Sequence, residues 1–286
     1  MKSGKWNVFI TTAVLSVFLF AGAAPAADRA EVLKRTADKL TALYGEKDFR
    51  DMMEGVELFK KAGLSYQPSL VYPLEGIIEC KDKTQLQTLL GIYLFDLNYA
   101  MVFGKTKEAA ATNAVVVDIV KRLKLDEKVK PQILSADDLK RIAEKPNDPA
   151  GREIFIKYMM SNMRGLVTAA QSDPEVLESA VNAVMGATFM SLYVASELGL
   201  ASGSGEKLVT LFNEQSSRMK KAQQIIESLL EDPGLAEFAK SSMRAKNLEH
   251  YLGVVMAKKG NMDESDLKKI LSRTRPYWQE FSEKCK

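Results

Sequence analysis

Leu89–Phe103 reads LLGIYLFDLNYAMVF and Ser179–Ser196 reads SAVNAVMGATFMSLYVAS. The first stretch carries one charge, Asp96, and the second carries none. A helix that is apolar on every side belongs in the middle of a core or in a membrane. Asp96 and Asn98 in the first stretch, and Asn182, Thr188 and Ser191 in the second, favour the core. Nearly every other segment has the helical period, and no stretch alternates apolar and polar residues as a half-buried strand does. The expected fold is therefore all-α, a multi-helix bundle or stacked helical hairpins around two central apolar helices.

Working outward, Leu33, Ala37, Leu40 and Tyr44 line one face of a first helix that Gly45 ends, and a second helix runs from Asp48 to Ala62, where Gly63 stops it. Tyr66 to Pro73 contains Pro68 and Pro73 and reads as an extended connection. Asp82 followed by Gln85 has capping-box spacing and opens the first apolar helix, which Gly104 closes. A further helix is expected from Lys107 to Lys124, and a short one from Ser135. Asp148-Pro149, Asp173-Pro174 and Asp232-Pro233 each set a capping acid ahead of a proline, so helices are expected to start near 149, 174 and 233. Leu208 to Leu229 has the 4,3 spacing of a helix packed along its length. Leu267, Leu271, Trp278 and Phe281 mark a last helix, with an interruption expected at Arg275-Pro276.

Shifting the chain by 95 residues lays Gly91 on Gly186, Leu97 on Leu192, Ala100 on Ala195 and Gly104 on Gly199. A duplicated helical hairpin would produce such a match. Chance, or shared packing demands on two buried helices, accounts for it more readily.

The 286 residues include 40 Lys+Arg, 37 Asp+Glu, two Cys and one His. Lys2 and Lys5, the apolar run Val8 to Phe20 and the small-x-small Ala24-Pro25-Ala26 have the layout of a secretory signal peptide. Cleavage after residue 26 leaves 286 − 26 = 260 residues. The mature balance is then 38 against 37, or +1, because the leader carries two Lys and no acid. Residues 27–286 are expected to form a single all-helical domain, with any subdivision near 146–149. Near-neutrality without a basic cluster leaves no nucleic-acid partner. No transmembrane segment is expected in the mature chain, which would reside in the periplasm or outside the cell.

His250 alone cannot build a multi-histidine metal site, and its setting, Asn247 to Leu252, is an ordinary amphipathic helix. Export allows Cys80 and Cys285 to form a disulfide. Such a bond would close a loop of roughly 200 residues and contribute about 4 to 5 kcal/mol before strain. The alternative is two separate thiols. Met159, Met160 and Met163, with Met185 and Met190, could offer soft ligands to Cu(I) but read better as core filler. Asp51, Glu54 and Glu57 lie among Arg50, Lys60 and Lys61 and read as a solvated face. Gly203-Ser204-Gly205-Glu206-Lys207 lacks the spacing of a phosphate loop. No cofactor and no metal are implied.

Asp96 carries the sharpest lead to function. Tyr93 and Tyr99 lie at i−3 and i+3, so the three side chains share one helical face. A buried carboxyl must be paired or hydrogen-bonded, or else hold its proton. The face is read either as a structural network tying this helix to a neighbour or as a ligand pocket in which Tyr93, Asp96 and Tyr99 orient a small molecule. Gly91-Ile92-Tyr93-Leu94-Phe95-Asp96-Leu97-Asn98-Tyr99-Ala100 resembles the G-x-Y-x-x-D-L-x-Y-A segment of exported, all-helical bacterial proteins of unknown function. The resemblance implies a helical protein of the cell envelope and brings no catalytic residues. The function expected is non-enzymatic binding of a partner protein or an apolar small molecule. The alternative is an enzyme with a dispersed site that uses Asp96 as general acid or base.

Overall fold

The computed structural model describes residues 29–43, 46–61, 63–74, 80–130, 148–202, 257–259 and 261–284, with short runs between 132 and 142 and between 209 and 231. The described residues form helices and no strand. They are α1 (Arg29–Leu43), α2 (Glu46–Lys61), α3 (Lys83–Val102), α4 (Thr106–Arg122), α5 (Leu125–Val129), α6 (Pro149–Ala170), α7 (Pro174–Ser202) and α8 (Glu264–Lys284), with a 3-10 turn at Pro68–Leu70.

The capping residues act as their sequence positions require. The Asp82 carboxylate accepts from Gln85 N at 2.8 Å, Asp148 from Ala150 N at 3.3 Å, and Asp173 from Glu175 N at 2.9 Å. Each satisfies an amide that the first helical turn leaves open. Gly63 (φ 75°) ends α2 with Leu64 N donating to Phe59 O and Gly63 N to Lys60 O, the paired bonds of a left-handed helix stop. Gly104 (φ 68°) ends α3 in the same way.

Two boundaries differ from expectation. α4 stops at Arg122, and Lys124 turns to φ 54° to start the short α5. α8 runs through Pro276 without the expected break. A proline inside a helix frees the carbonyl four residues earlier, here that of Ser272, and both Ser272 and Pro276 are exposed, so water can satisfy that carbonyl.

The two central apolar helices, α3 and α7, pack directly on each other. Their contacts advance together: Lys83 with Glu178, Gln87 with Asn182, Thr88 with Gly186, Gly91 with Ala183. The helices therefore run parallel. The two closest backbone approaches are reciprocal at a shift of 95, Gly91 to Ala183 (88 + 95) and Thr88 to Gly186 (91 + 95), so the crossing has local two-fold character. A Cβ on Gly91 would sit 1.7 Å from Ala183 O, and one on Gly186 would sit 2.1 Å from Thr88 O. Only hydrogen fits at either position, and the backbones approach as closely as helices can.

Beside the crossing, Gln87 Nε2 donates to Ser179 Oγ at 3.0 Å and Asn182 Nδ2 donates to Gln87 Oε1 at 2.7 Å, all three residues being buried. The glycine identity in the match at a shift of 95 meets a packing requirement, since each helix needs a glycine where the other's carbonyl lies.

α4 folds back on α3, α6 on α7, and α8 lies antiparallel to α7 with Arg275 forked onto Glu197 at 2.7 and 2.9 Å. α1 and α2 pack against α6, the latter also through Arg50–Glu153 and Arg152–Glu57. One hydrophobic core runs from Leu33 to Leu271 and includes Met159, Met160, Met163 and Met190. Burying each large apolar side chain stabilises by about 1.5–3 kcal/mol. α7 is long and apolar enough by composition to cross a membrane, but most of its apolar window is buried against its neighbours.

Candidate functional site

The Tyr93–Asp96–Tyr99 face of α3 receives the connection that follows α2. This strap, Gly63–Leu74, runs antiparallel to α3 and is fixed by one bond from each residue of the Tyr93–Asp96–Tyr99 face. Gln67 N donates to Tyr99 Oη at 3.1 Å, Tyr72 N to Asp96 Oδ2 at 2.9 Å, and Tyr93 Oη to Pro73 O at 2.6 Å. The i−3 and i+3 spacing does bring the three side chains to one face. Neither phenol bonds the carboxyl, however: all three residues bind strap backbone.

Two nests of rings flank these bonds. Tyr66 stacks on Tyr99 with centroids 5.0 Å apart and lies 6.1 Å from Phe103, while Phe59 meets Tyr99 edge-on at 6.3 Å. Lys105 Nζ sits 5.7 Å from the Tyr66 centroid, a cation over a ring face. In the second nest Tyr72 meets Tyr93 edge-on at 5.6 Å and Trp278 of α8 at 5.9 Å, and Trp278 stacks on Tyr193 of α7 at 6.0 Å.

Asp96 is wholly buried, and burial holds its carboxyl well above the usual carboxylate range, with the Tyr72 amide opposing only in part. Among the described residues no cation pairs with Asp96, so burial favours the neutral acid. Oδ2, which accepts the Tyr72 amide, is then the carbonyl oxygen, and Oδ1 carries the proton. Among the described residues Oδ1 has no hydrogen-bond partner, and neither do the buried Tyr72 Oη and Trp278 Nε1. Burial pushes the Tyr66 phenol to about 12, helped by Glu108, and the Tyr99 phenol to about 12 against the pull of the Gln67 amide. Burial also raises Tyr72 and Tyr93. The phenols are therefore neutral donors and acceptors at any ordinary pH.

Gln67, Tyr72 and Trp278 complete the site and were not singled out as site residues from the sequence. The one available signal was a pair of tyrosines, Tyr66 and Tyr72, in a proline-bearing connection of the kind usually read as a spacer. Cys80 is wholly buried just before α3, its Sγ 3.6 Å from Gln85 Oε1 and its carbonyl bonded by Arg122. Cys285, His250, the leader 1–26, the Gly203–Lys207 stretch and the helix start near 233 lie outside the described residues, as does most of Leu208–Leu229.

Comparison with protein-family models, curated proteins and solved structures finds no match to this chain.

Proposed function

We propose that this chain is an exported, non-enzymatic binding protein of the bacterial cell envelope that acts by holding a partner protein. The observation that carries this reading is the use of the Tyr93–Asp96–Tyr99 face. Its polar groups recognise main-chain N–H and C=O groups, between two nests of aromatic rings. Neutral donors and acceptors aimed at peptide groups, with aromatic walls, are the furniture of recognition. An apolar small molecule in the same nests is the second ligand class, favoured by the unpartnered Asp96 Oδ1, Tyr72 Oη and Trp278 Nε1.

The layout of Lys2, Lys5, Val8–Phe20 and Ala24-Pro25-Ala26 supports export to the periplasm, in keeping with the resemblance of Gly91–Ala100 to exported helical proteins. A Cys80–Cys285 disulfide belongs to the same reading. Cys80 is not a free thiol, and α8 ends at Lys284 after placing Trp278 against Tyr72. An enzyme using Asp96 as general acid or base is less well supported. The carboxyl has no exposure, and the strap covers it.

Native mass spectrometry of the protein taken from its own periplasm tests the proposal. A chain beginning after Ala26, without free thiol on denaturation and with a retained protein companion, is the expected result. A bare chain in every preparation would overturn the binding reading, an uncleaved cytoplasmic chain the export reading, and two free thiols the disulfide.

A further inference from the structure

The Gly63–Leu74 strap is held in the manner of a bound peptide. Its three bonds to α3 all use its backbone, and its two aromatic side chains, Tyr66 and Tyr72, fill separate ring nests six residues apart. Between these anchors the Pro68–Leu70 turn leaves Pro68 and Ser69 exposed, so the face does not read the residues in the middle. Of the described strap residues only Tyr72 is buried. The strap also satisfies the face incompletely, since the Asp96 Oδ1 hydroxyl and Trp278 Nε1 are donors left without an acceptor beneath it.

We propose that the Tyr93–Asp96–Tyr99 face is a peptide-recognition groove that the strap occupies in cis, and that a partner segment with two aromatic side chains six residues apart displaces it. This rests on the binding reading given above and names the partner's chemistry. Buried donors without acceptors penalise the strap-bound state. A partner segment that also brings an oxygen to Asp96 Oδ1 or Trp278 Nε1 gains what the strap forgoes. The anchors favour a peptide over a compact solute: main-chain groups at three points along α3 and two separated rings are spanned together only by an extended occupant. Cis occupancy lowers apparent affinity by the fraction of molecules whose groove is open, which makes the strap an autoinhibitory contact.

The test uses the full mature chain and a labelled synthetic peptide spanning residues 64–74, with binding read by fluorescence anisotropy. Tyr72→Ala loosens the strap and should bind the peptide about tenfold more tightly than wild type, through the larger open fraction. A peptide with both tyrosines replaced by alanine should not bind. A folded Tyr72→Ala protein that ignores the peptide, or binds both peptides equally, overturns the groove. Should the variant fail to fold, hydrogen exchange in the wild type decides. The Gln67 and Tyr72 amides should exchange by local opening, faster than the amides of α3, and exchange only at the rate of global unfolding rejects a displaceable strap. If the peptide fails while a protein companion still co-purifies, the groove assignment falls and the binding reading stands. If both fail, both fall.

Discussion

Replacing Gly91 with alanine tests the close approach of α3 to α7. The added methyl carbon would lie 1.7 Å from Ala183 O, 2.6 Å from Ala183 C and 2.8 Å from Ala183 Cα, where ordinary contact begins at 3.4 Å. All three are backbone atoms, so no rotamer relieves the overlap, and α3 and α7 must part by about 1.7 Å (3.4 − 1.7) along that line. Helix propensity favours alanine by about 1 kcal/mol. Against it stand overpacking, typically about 1–3 kcal/mol, and the stretching of the Gln87–Asn182 and Gln87–Ser179 bonds, each worth about 1 kcal/mol. The net loss expected is about 3 kcal/mol, a large share of the stability of any domain.

Gly186→Ala needs a smaller parting, 3.4 − 2.1 = 1.3 Å, and should cost about 2 kcal/mol. Because the first methyl opens the gap for the second, the double variant should lose at least about 1 kcal/mol less than the sum. Gly165→Ala is the control: its Cβ meets the side-chain atom Val129 Cγ1 at 2.9 Å, which can turn away, and stability should stay within about 1 kcal/mol. Urea unfolding followed by circular dichroism measures all four. A Gly91→Ala protein with an unchanged midpoint, or two losses that simply add, would refute the reciprocal crossing.

Asp96→Asn keeps an oxygen for the Tyr72 amide and a donor in place of the acid hydroxyl. At about pH 4 and below, where folded and unfolded chains both hold the acid proton, it should remain within about 1 kcal/mol of wild type, whereas Asp96→Ala strands that amide and should cost about 2–4 kcal/mol. Equal melting temperatures for the two variants would remove Asp96 from the strap's anchorage. The folded protein holds the Asp96 proton above the pH at which the unfolded chain releases it, so this contribution is complete below about pH 4 and declines as pH rises toward the raised native value. Wild-type stability relative to Asp96→Asn should therefore fall as pH rises from about 4 toward the raised native value, by at most about 1.4 kcal/mol per pH unit, and a flat difference would mean that Asp96 is not held protonated. Tyr93→Phe leaves the Pro73 carbonyl without its donor and should cost about 1 kcal/mol, with faster hydrogen exchange at the Tyr72 amide than in wild type. Unchanged exchange would show that Tyr93 does not hold the strap.

The all-α fold and the identity of its central helices were legible because period and charge are local properties. The starts of α6 and α7 were legible for the same reason, through Asp148-Pro149 and Asp173-Pro174. The pairing of α3 with α7 was visible only as a weak coincidence of glycines, since a close approach is a property of two distant segments and leaves a single small residue on each. The Asp96 face was legible as a set of neighbours on one helix. Its partner was not, because main-chain N–H and C=O groups are present in every residue and carry no sequence signal. Trp278 is near Tyr72 only by the docking of α8, which nothing around either residue announces.

α3 and α7 lie side by side and point the same way, so no short turn can join them. Contact between residues 88 and 186, or 91 and 183, closes segments of 186 − 88 = 98 and 183 − 91 = 92 residues. The α3–α4 and α6–α7 hairpins, by contrast, close within a few residues and can form early. The slow event in folding is then the docking of one preformed hairpin on the other. Until it happens, two helices with no polar side stand in water. A chain paused at that stage is primed to aggregate, and it must be kept dilute or chaperoned until Gly91 and Gly186 meet.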